Sequence, residues 1–175
     1  TRSLCDWSSD VCSSDLIGTH RTYLHVHSDG RVTKALVPKP KKVLGSKDGG
    51  LIRLWTGKGP KGGKGVPLAE APHGSLVYMA EGIEDAMSCV MLKPDARVVV
   101  SATLENMPKV WLPEAVTRLV IISDRDEGEQ AKAQLQRTVE VHQEHGREVI
   151  IWRAQKGKDL NDWLRIEAGA IDDAA

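Results

Sequence analysis

The sequence lacks three features that would assign it to a class at once. It has no surplus of charge of one sign, because 24 Lys and Arg residues balance 24 Asp and Glu residues, so net charge does not indicate a nucleic-acid partner. It has no apolar run long enough to span a membrane and no signal-peptide pattern. Its cysteines, Cys5, Cys12 and Cys89, show neither metal-ligand spacing nor a disulfide framework. These absences predict a cytoplasmic protein with no membrane partner.

The first sixteen residues follow no periodic pattern. They are rich in Ser and Asp, and residues 10–16, Asp-Val-Cys-Ser-Ser-Asp-Leu, look like the translation of a common sequencing adapter. We therefore expect residues 1–16 to be an artefact or a disordered segment, and we expect the natural protein to begin further upstream.

The next stretch, residues 17–70, predicts a small β-rich segment. Residues 22–27 alternate between polar and apolar side chains, Ser-Asp-Gly at 28–30 favours a turn, and the following residues predict a returning strand. His25 and His27 would lie on one face of the hairpin, where ordinary strand histidines are favoured over metal ligands because no third ligand is evident.

Lysine, glycine and proline dominate residues 38–66, apart from a predicted short strand at 51–55. Glycine lets backbone amides approach a phosphate and lysine supplies charge, so this stretch predicts either a phosphate-contacting loop or a solvated one. The spacing does not fit a Walker loop. The candidate contacts to nucleic acid or a triphosphate are Lys39, Lys41, Lys42, Lys58, Lys61 and Lys64.

From residue 75 onwards, apolar runs alternate with helical patterns. This alternation predicts an α/β domain over residues 75–166, with a Rossmann-like, mainly parallel four-stranded sheet and helices on both faces, and a frayed tail at 167–175. The predicted strands are 76–80, 97–101, 119–122 and 149–152. In the first helix, the apolar face is predicted to comprise Ile83, Ala86, Met87, Val90 and Met91.

Carboxylates follow these strands. The strand at 119–122 leads directly into Asp124 and Asp126, and ligands of open α/β sheets bind beyond the carboxyl ends of strands. Two carboxylates this close repel each other unless a cation neutralises them, and hard oxygen ligands suit Mg²⁺ or Mn²⁺. Glu81 and Asp159 also begin helices. Asp126 and Asp159 could instead be helix N-caps, Asp124 a solvated loop residue and Glu81 a charge favoured by the helix dipole.

Three motifs stand in order along residues 75–165. They are strand-Glu81-Gly82-helix, strand-Asp124-x-Asp126-helix, and Gly157-Lys158-Asp159 opening a helix. In combination they resemble the toprim domain, which is shared by bacterial-type primases, type IA and type II topoisomerases, certain nucleases and recombination mediators. Residues 80–86, Ala-Glu-Gly-Ile-Glu-Asp-Ala, resemble primases of phages, plasmids and mobile elements, and residues 40–54 are similar to the region upstream of toprim in primase or primase-helicase proteins.

The resemblance implies a DNA primase, a nucleotidyltransferase that joins nucleoside triphosphates into RNA primers on single-stranded DNA during DNA replication. Asp124 and Asp126 would hold Mg²⁺ or Mn²⁺, Glu81 would be a general acid/base or a further ligand, and Asp159 would extend the cluster. A replicative helicase, or a fused helicase domain, is the implied partner. The zinc-binding module usual in such primases is absent, as the expected missing start would explain.

Other functions remain open. A toprim nuclease or topoisomerase fragment would use the same carboxylates to cleave DNA, although Tyr23 and Tyr78 lie in predicted strands, which is unfavourable for a topoisomerase nucleophile. A non-catalytic DNA-binding toprim module is a third possibility. A haloacid-dehalogenase-like phosphatase is disfavoured, because its Asp-x-Asp pair follows the first strand of the fold.

Overall fold

One mixed sheet of nine strands runs through the part of the chain that the computed structural model describes, residues 3–11, 15–59, 63–125 and 128–171. The strands are β1 (Ser3–Val11), β2 (Asp15–Val26), β3 (Val32–Lys34), β4 (Lys41–Gly45), β5 (Leu51–Trp55), β6 (Ser75–Ala80), β7 (Arg97–Val100), β8 (Val116–Ser123) and β9 (Glu148–Arg153). The helices are α1 (Ile83–Leu92), α2 (Glu129–Glu144) and α3 (Leu160–Glu167), with short 3-10 helices at Leu68–Glu70 and Leu104–Lys109. In the described residues, no helix combines the length and apolarity needed to cross a membrane.

The second half of the sheet confirms the α/β prediction. Its strands lie in the order β5-β7-β6-β8-β9, in which β7, β6, β8 and β9 are mutually parallel and β5 is antiparallel to β7. Parallel neighbours need crossover connections, and the intervening helices supply them. The predicted four-stranded parallel sheet is therefore present, with one antiparallel strand added at its edge.

Helices cover both faces of this half. Leu135 of α2 and Met107 of the second 3-10 helix pack in one buried cluster, while Cys89 of α1 and Leu160 of α3 pack in the other. Because β6, β7 and β8 carry apolar side chains in unbroken runs, both of their faces can be buried. Val77, for example, is completely inaccessible to solvent.

Strand order decides which strand ends meet. β6 lies between β7 and β8, and its parallel pairing with β8 runs from Ser75 opposite Val116 to Met79 opposite Ile121. Parallel strands end at the same edge, so the residues that follow β6 and β8 are brought together. Sequence periodicity does not specify this order.

The first half of the sheet is antiparallel, and it includes the predicted hairpin. β2 pairs with β3 across the turn, and β4 pairs with the earlier part of β2. β4 was not predicted, because its lysines and the flanking prolines favour a loop. β1 pairs with β2 along its length and touches β5 at Ser9 and Asp10. Residues 3–11 are thus extended and paired, unlike a disordered segment, and their adapter origin stays a prediction.

The two halves are also joined by a buried amide. The side chain of Asn106, in the second 3-10 helix, accepts a hydrogen bond from the Gly49 amide at 2.8 Å. Its Nδ2 donates to the carbonyls of Gly50 and Ser101, both at 2.8 Å. All of its strong hydrogen-bonding groups are therefore used to hold the loop before β5 against the end of β7.

The predicted apolar face of α1 is partly wrong. Ile83 and Ala86 are buried and Val90 packs against the core, but Met87 and Met91 are exposed by 50% and 69%. The helix instead buries Cys89, one position after a polar residue. Apolar side chains on α1 form two adjacent stripes, one containing Cys89 and the other Met87 and Met91. Packing against α3 decides which stripe is buried, and the sequence of α1 alone does not predict that choice.

Candidate active site

Glu81 stands directly after β6, at the edge where the parallel strands end. The backbone amide of Leu104 lies near its carboxylate and favours the charged form. Part of the side chain is open to solvent, yet burial of the carboxyl raises its pKa, and the negative charges of Asp124 and Glu105 raise it further. Glu81 therefore holds a proton more readily than an ordinary glutamate.

Asp124 follows β8 and lines the same cleft as Glu81. Its proximity is visible in the pKa values of its neighbours, since its charge raises those of both Glu81 and Asp85. Asp126, the second member of the Asp-x-Asp pair, lies outside the described residues, so its predicted place in the site stays a prediction.

The turn before α3 brings a further carboxylate to the cleft. Asp159 caps this helix, its Oδ1 accepting from the Asp162 amide at 2.7 Å. Gly157 adopts φ +68°, and a Cβ there would lie 2.7 Å from the Asp162 Cβ, so the turn requires glycine. The N-cap interpretation is confirmed, and Asp159 also lines the cleft with Asp124.

Asp85, in the first turn of α1, is a carboxylate that the sequence analysis missed. Its Oδ1 accepts a hydrogen bond from the Asn161 amide at 3.1 Å, which joins α1 to α3. Burial raises its pKa to about 6, and the charges of Asp159 and Asp124 add to the effect. Carboxylates from four separate elements thus face one cleft of about 370 Å³.

Basic side chains from the first half of the sheet form another wall of this cleft. Lys34 and Lys41 each approach a carboxylate oxygen of Glu84 at 3.0 Å, and His20 lies beside them in the cleft. Burial alone would raise the pKa of Glu84, but the hydrogen bonds from Lys41 and Lys34 outweigh it and bring the pKa down to about 2. The cleft therefore has an acidic floor and a wall of positive charge.

The candidate lysines are not gathered in one place. Among them, Lys41 lines the acidic cleft, whereas Lys39 and Lys42 line a separate pocket beside Tyr23.

The later lysines lie elsewhere. Lys58 pairs with Asp95 at 3.6 Å, and Lys64 borders a pocket beside Trp55. Lys61 lies outside the described residues. Lys34 was not predicted, because its place in the cleft is beside Glu84, which lies fifty residues later in the chain.

The two strand histidines lie together as predicted. The rings of His25 and His27 meet edge to face with centroids 4.5 Å apart, and His27 Nε2 is 2.9 Å from Thr33 Oγ1. A third histidine, cysteine or carboxylate does not join them, nor does the described part of the chain arrange any three such groups as a ready metal cluster.

The carboxylates of the cleft nevertheless suit a divalent cation in their chemistry. Glu81, Asp85, Asp124 and Asp159 offer hard oxygen atoms, the ligands that Mg²⁺ and Mn²⁺ prefer. Burial is the main cause of the raised pKa values of Glu81 and Asp85, and the neighbouring negative charges that add to it are ones that a bound cation would neutralise. The donor set therefore fits such an ion.

The fold and the cleft together define a class of protein: a parallel α/β domain whose carboxylates gather where neighbouring strands end. The family model described as Toprim domain matches residues 76–170, more than half of the chain. The chain belongs to the toprim domain family. A search of curated proteins found no match.

Solved structures show the same fold at low sequence identity. The chain is similar to the primase fragment of the bacteriophage T7 primase-helicase protein, with a TM-score of 0.55, 13% identity, and coverage of 94% of this chain and 57% of that one. It is similar to the Aquifex aeolicus primase (zinc binding and RNA polymerase domains), with a TM-score of 0.53, 14% identity, and coverage of 94% and 37%. A DNA primase domain from Pseudomonas aeruginosa gives a TM-score of 0.52, 15% identity, and coverage of 93% and 46%. The chain thus spans between about a third and three fifths of these structures.

Proposed function

We propose that this toprim domain is the catalytic domain of a DNA primase, which joins ribonucleotides into RNA primers on a single-stranded DNA template. The observation that carries the proposal is the cleft itself, in which carboxylates at the ends of β6 and β8 face a lysine wall from β3 and β4. The similarity to structures titled as primases supports the same activity.

Each wall of the cleft would contribute separately to nucleotidyl transfer. Asp124 and Asp159, with Asp126 as predicted from the motif, would hold Mg²⁺ or Mn²⁺, which when bound neutralises triphosphate charge and lowers the pKa of an attacking hydroxyl. Glu81, whose pKa is raised, would accept the proton from the primer 3′-hydroxyl. Asp85 would position the start of α3, because its carboxylate accepts a hydrogen bond from the Asn161 amide.

The lysine wall would attract the phosphates. Lys34 and Lys41 bind the carboxylate of Glu84, so a triphosphate must compete with that carboxylate for them. This arrangement keeps the positive charge at the cleft while no nucleotide is bound, and it predicts that binding weakens as salt rises.

The direct test is RNA synthesis by the 175-residue chain on single-stranded DNA of mixed sequence, with labelled ribonucleotides and Mg²⁺ or Mn²⁺. Glu81→Gln and Asp124→Asn should each lower the rate by about 100-fold or more, the range expected for loss of a general base or a metal ligand. Glu114→Gln, at an exposed position away from the cleft, is the matched control. Equal rates in all three variants would overturn the assignment.

A nicking assay on supercoiled plasmid separates the primase from a toprim nuclease. Plasmid cleavage that requires Mn²⁺ and Asp124, without any RNA synthesis, would show that the cleft cleaves DNA instead of synthesising RNA. Tight DNA binding without RNA synthesis and without plasmid nicking would favour the non-catalytic DNA-binding module.

A further inference from the structure

A second pocket lies on the first half of the sheet, outside the acidic cleft. It has a volume of about 530 Å³, and its lining is formed by Tyr23, Val37, Pro38, Lys39 and Lys42. An aromatic ring and two aliphatic side chains give it an apolar floor, and two ammonium groups stand at its border.

The strand register places this pocket on the face of the sheet opposite to the cleft. In the pairing of β2 with β4, Thr22 lies opposite Lys41 and Arg21 lies opposite Lys42. Successive side chains of a strand point to opposite faces, so Lys41 enters the cleft while Lys42 points away from it. One short strand therefore carries positive charge on both of its faces.

Backbone hydrogen bonds anchor the strand position that carries Tyr23. The Tyr23 amide donates to the Pro40 carbonyl at 2.8 Å, and its carbonyl accepts from the Ala35 amide at 2.9 Å. Ala35 is buried, so the loop from β3 to β4 is anchored beside the ring. The pocket is therefore built on a hydrogen-bonded strand and an anchored loop.

The charge on this face differs from the charge in the cleft. Lys34 and Lys41 share the carboxylate of Glu84, whereas in the described ranges no carboxylate forms an ion pair with Lys39 or Lys42. The Lys42 ammonium lies instead 5.5 Å from the centre of the Tyr23 ring. A partly exposed aromatic ring beside two lysines that pair with no described carboxylate suits a ligand with a flat apolar ring and adjacent negative charge.

We propose that this pocket binds one base of the single-stranded DNA template, stacked on Tyr23, with the neighbouring phosphates held by Lys39 and Lys42. Aromatic stacking combined with phosphate contacts is how sequence-tolerant single-strand binding is achieved. The inference rests on the proposed function for the identity of the strand. It adds a template contact on the face away from the carboxylates.

The test is equilibrium binding of a short, fluorescein-labelled oligothymidylate, followed by anisotropy in EDTA and without nucleotides. These conditions remove any contribution from a divalent cation in the acidic cleft, and the Tyr23 and Lys42 variants leave Lys34 and Lys41 of that cleft unchanged. Tyr23→Ala should weaken binding by about tenfold, within the range for loss of one stacked base, while Tyr23→Trp should retain or strengthen it. Lys42→Gln should reduce the slope of log affinity against log salt by about 0.7, as expected for one phosphate contact on a single strand.

Controls separate the pocket from general effects. Lys132→Gln removes an exposed lysine of α2 that is paired with Glu129, and it should leave both affinity and salt slope unchanged. Circular dichroism establishes that each variant is folded. Photocrosslinking with a 5-iodouracil oligonucleotide should label Tyr23 in the unmodified chain, which locates the base even if Tyr23→Ala fails to fold.

The outcomes are distinct for the pocket and for the proposed primase. Wild-type affinity in folded Tyr23→Ala and Lys42→Gln variants, with no crosslink at Tyr23, would overturn the pocket whatever RNA synthesis shows. A monomer–dimer equilibrium that these variants shift, without an effect on DNA binding, would also overturn it in favour of a second copy as the occupant. A pocket that binds DNA in a chain that makes no RNA would support the pocket and contradict the primase.

Discussion

The two halves of the sheet differ in how their strands are covered. In the second half, β6, β7 and β8 are enclosed between helices, and Leu119 of β8 is completely inaccessible to solvent. In the first half, every residue of β3 and β4 is exposed, and Leu44 of β4 is 76% exposed. The enclosed half carries the carboxylates and the open half carries the lysines of the cleft.

We expect the enclosed half of the sheet to be rigid and the open half to be more adaptable. Carboxylates that are to hold a cation need fixed positions, and strands packed on both faces can supply them. Phosphate contacts act through longer-range charge and tolerate movement, so an open antiparallel ribbon is sufficient to carry them. Glu84 links the two halves by binding Lys34 and Lys41.

The largest effect should come from truncating the enclosed half. Leu119→Ala should lower the free energy of unfolding by about 2–5 kcal/mol, because it leaves a cavity in a closed core. Leu44→Ala is the matched control in the open half and should change it by less than about 0.5 kcal/mol. Urea unfolding of both variants measures the difference, and similar losses would contradict the contrast between the halves.

The enclosed half should also be sensitive to acid through His142. The imidazole is buried, donates from Nε2 to the Met107 carbonyl at 3.2 Å and lies 3.1 Å from Arg147 through Nδ1. Burial lowers its pKa from 6.5 to about 4, and the positive charge of Arg147 assists. Between these values the unfolded chain binds more protons, so the stability that His142 contributes is present above pH 6.5 and is lost as pH falls towards 4.

His142→Gln should therefore flatten the acid limb of the stability curve by up to about 1.4 kcal/mol per pH unit. Asp85 opposes this effect, since its raised pKa makes the folded chain bind more protons between pH 3.8 and about 6. The comparison of variant with wild type removes that contribution. His25→Gln, at an exposed position of β2, is the control, and equal slopes in wild type and His142→Gln would contradict the expectation.

The link between the halves should have a smaller effect. Glu84→Gln should lower the free energy of unfolding by about 1 kcal/mol at neutral pH, since two partly exposed ion pairs are weakened. The pKa of Glu84 is lowered from 4.5 to about 2, so this contribution is present above pH 4.5 and disappears as pH falls towards 2. Glu129→Gln removes an exposed pair of α2 and should have no measurable effect. A constant difference down to pH 2 would contradict the ion-pair account.

The smallest effect concerns strain at the edge of the cleft. Ala102 follows β7 with φ +68°, a left-handed conformation that costs alanine about 1 kcal/mol. Ala102→Gly should therefore raise the free energy of unfolding by up to about 1 kcal/mol, reduced by the greater flexibility of glycine in the unfolded chain. Ala133→Gly in α2 should lower it by a similar amount. Destabilisation by both changes would show that Ala102 is not strained.

The enclosed half was predictable because its signals are local. Continuous apolar runs such as Leu119 to Ile122 are buried on both faces, and each is followed by a polar turn and a helical pattern. Glu81, Asp124 and Asp159 were identifiable because the chain places them directly at strand ends or helix starts. Their meeting in one cleft depends on β6 lying beside β8, which local patterns do not encode.

The open half was less predictable because its determinants are distant. β4 begins with two lysines and follows two prolines, so its local pattern does not predict the strand that forms by pairing with β2. Lys34 gains its position from Glu84, fifty residues later in the chain. Asp85 was missed because an acidic residue in the first turn of a helix has an ordinary electrostatic explanation.

Calorimetric titration with Mn²⁺ measures whether the carboxylates at the ends of β6 and β8 form one divalent-cation site. The account predicts that Asp124→Ala loses the binding heat while remaining folded, and the motif predicts the same for Asp126→Ala. Asp95→Ala, which removes an exposed carboxylate paired with Lys58, should titrate like the wild type. Unchanged Mn²⁺ binding in both Asp124→Ala and Asp126→Ala would contradict the claim.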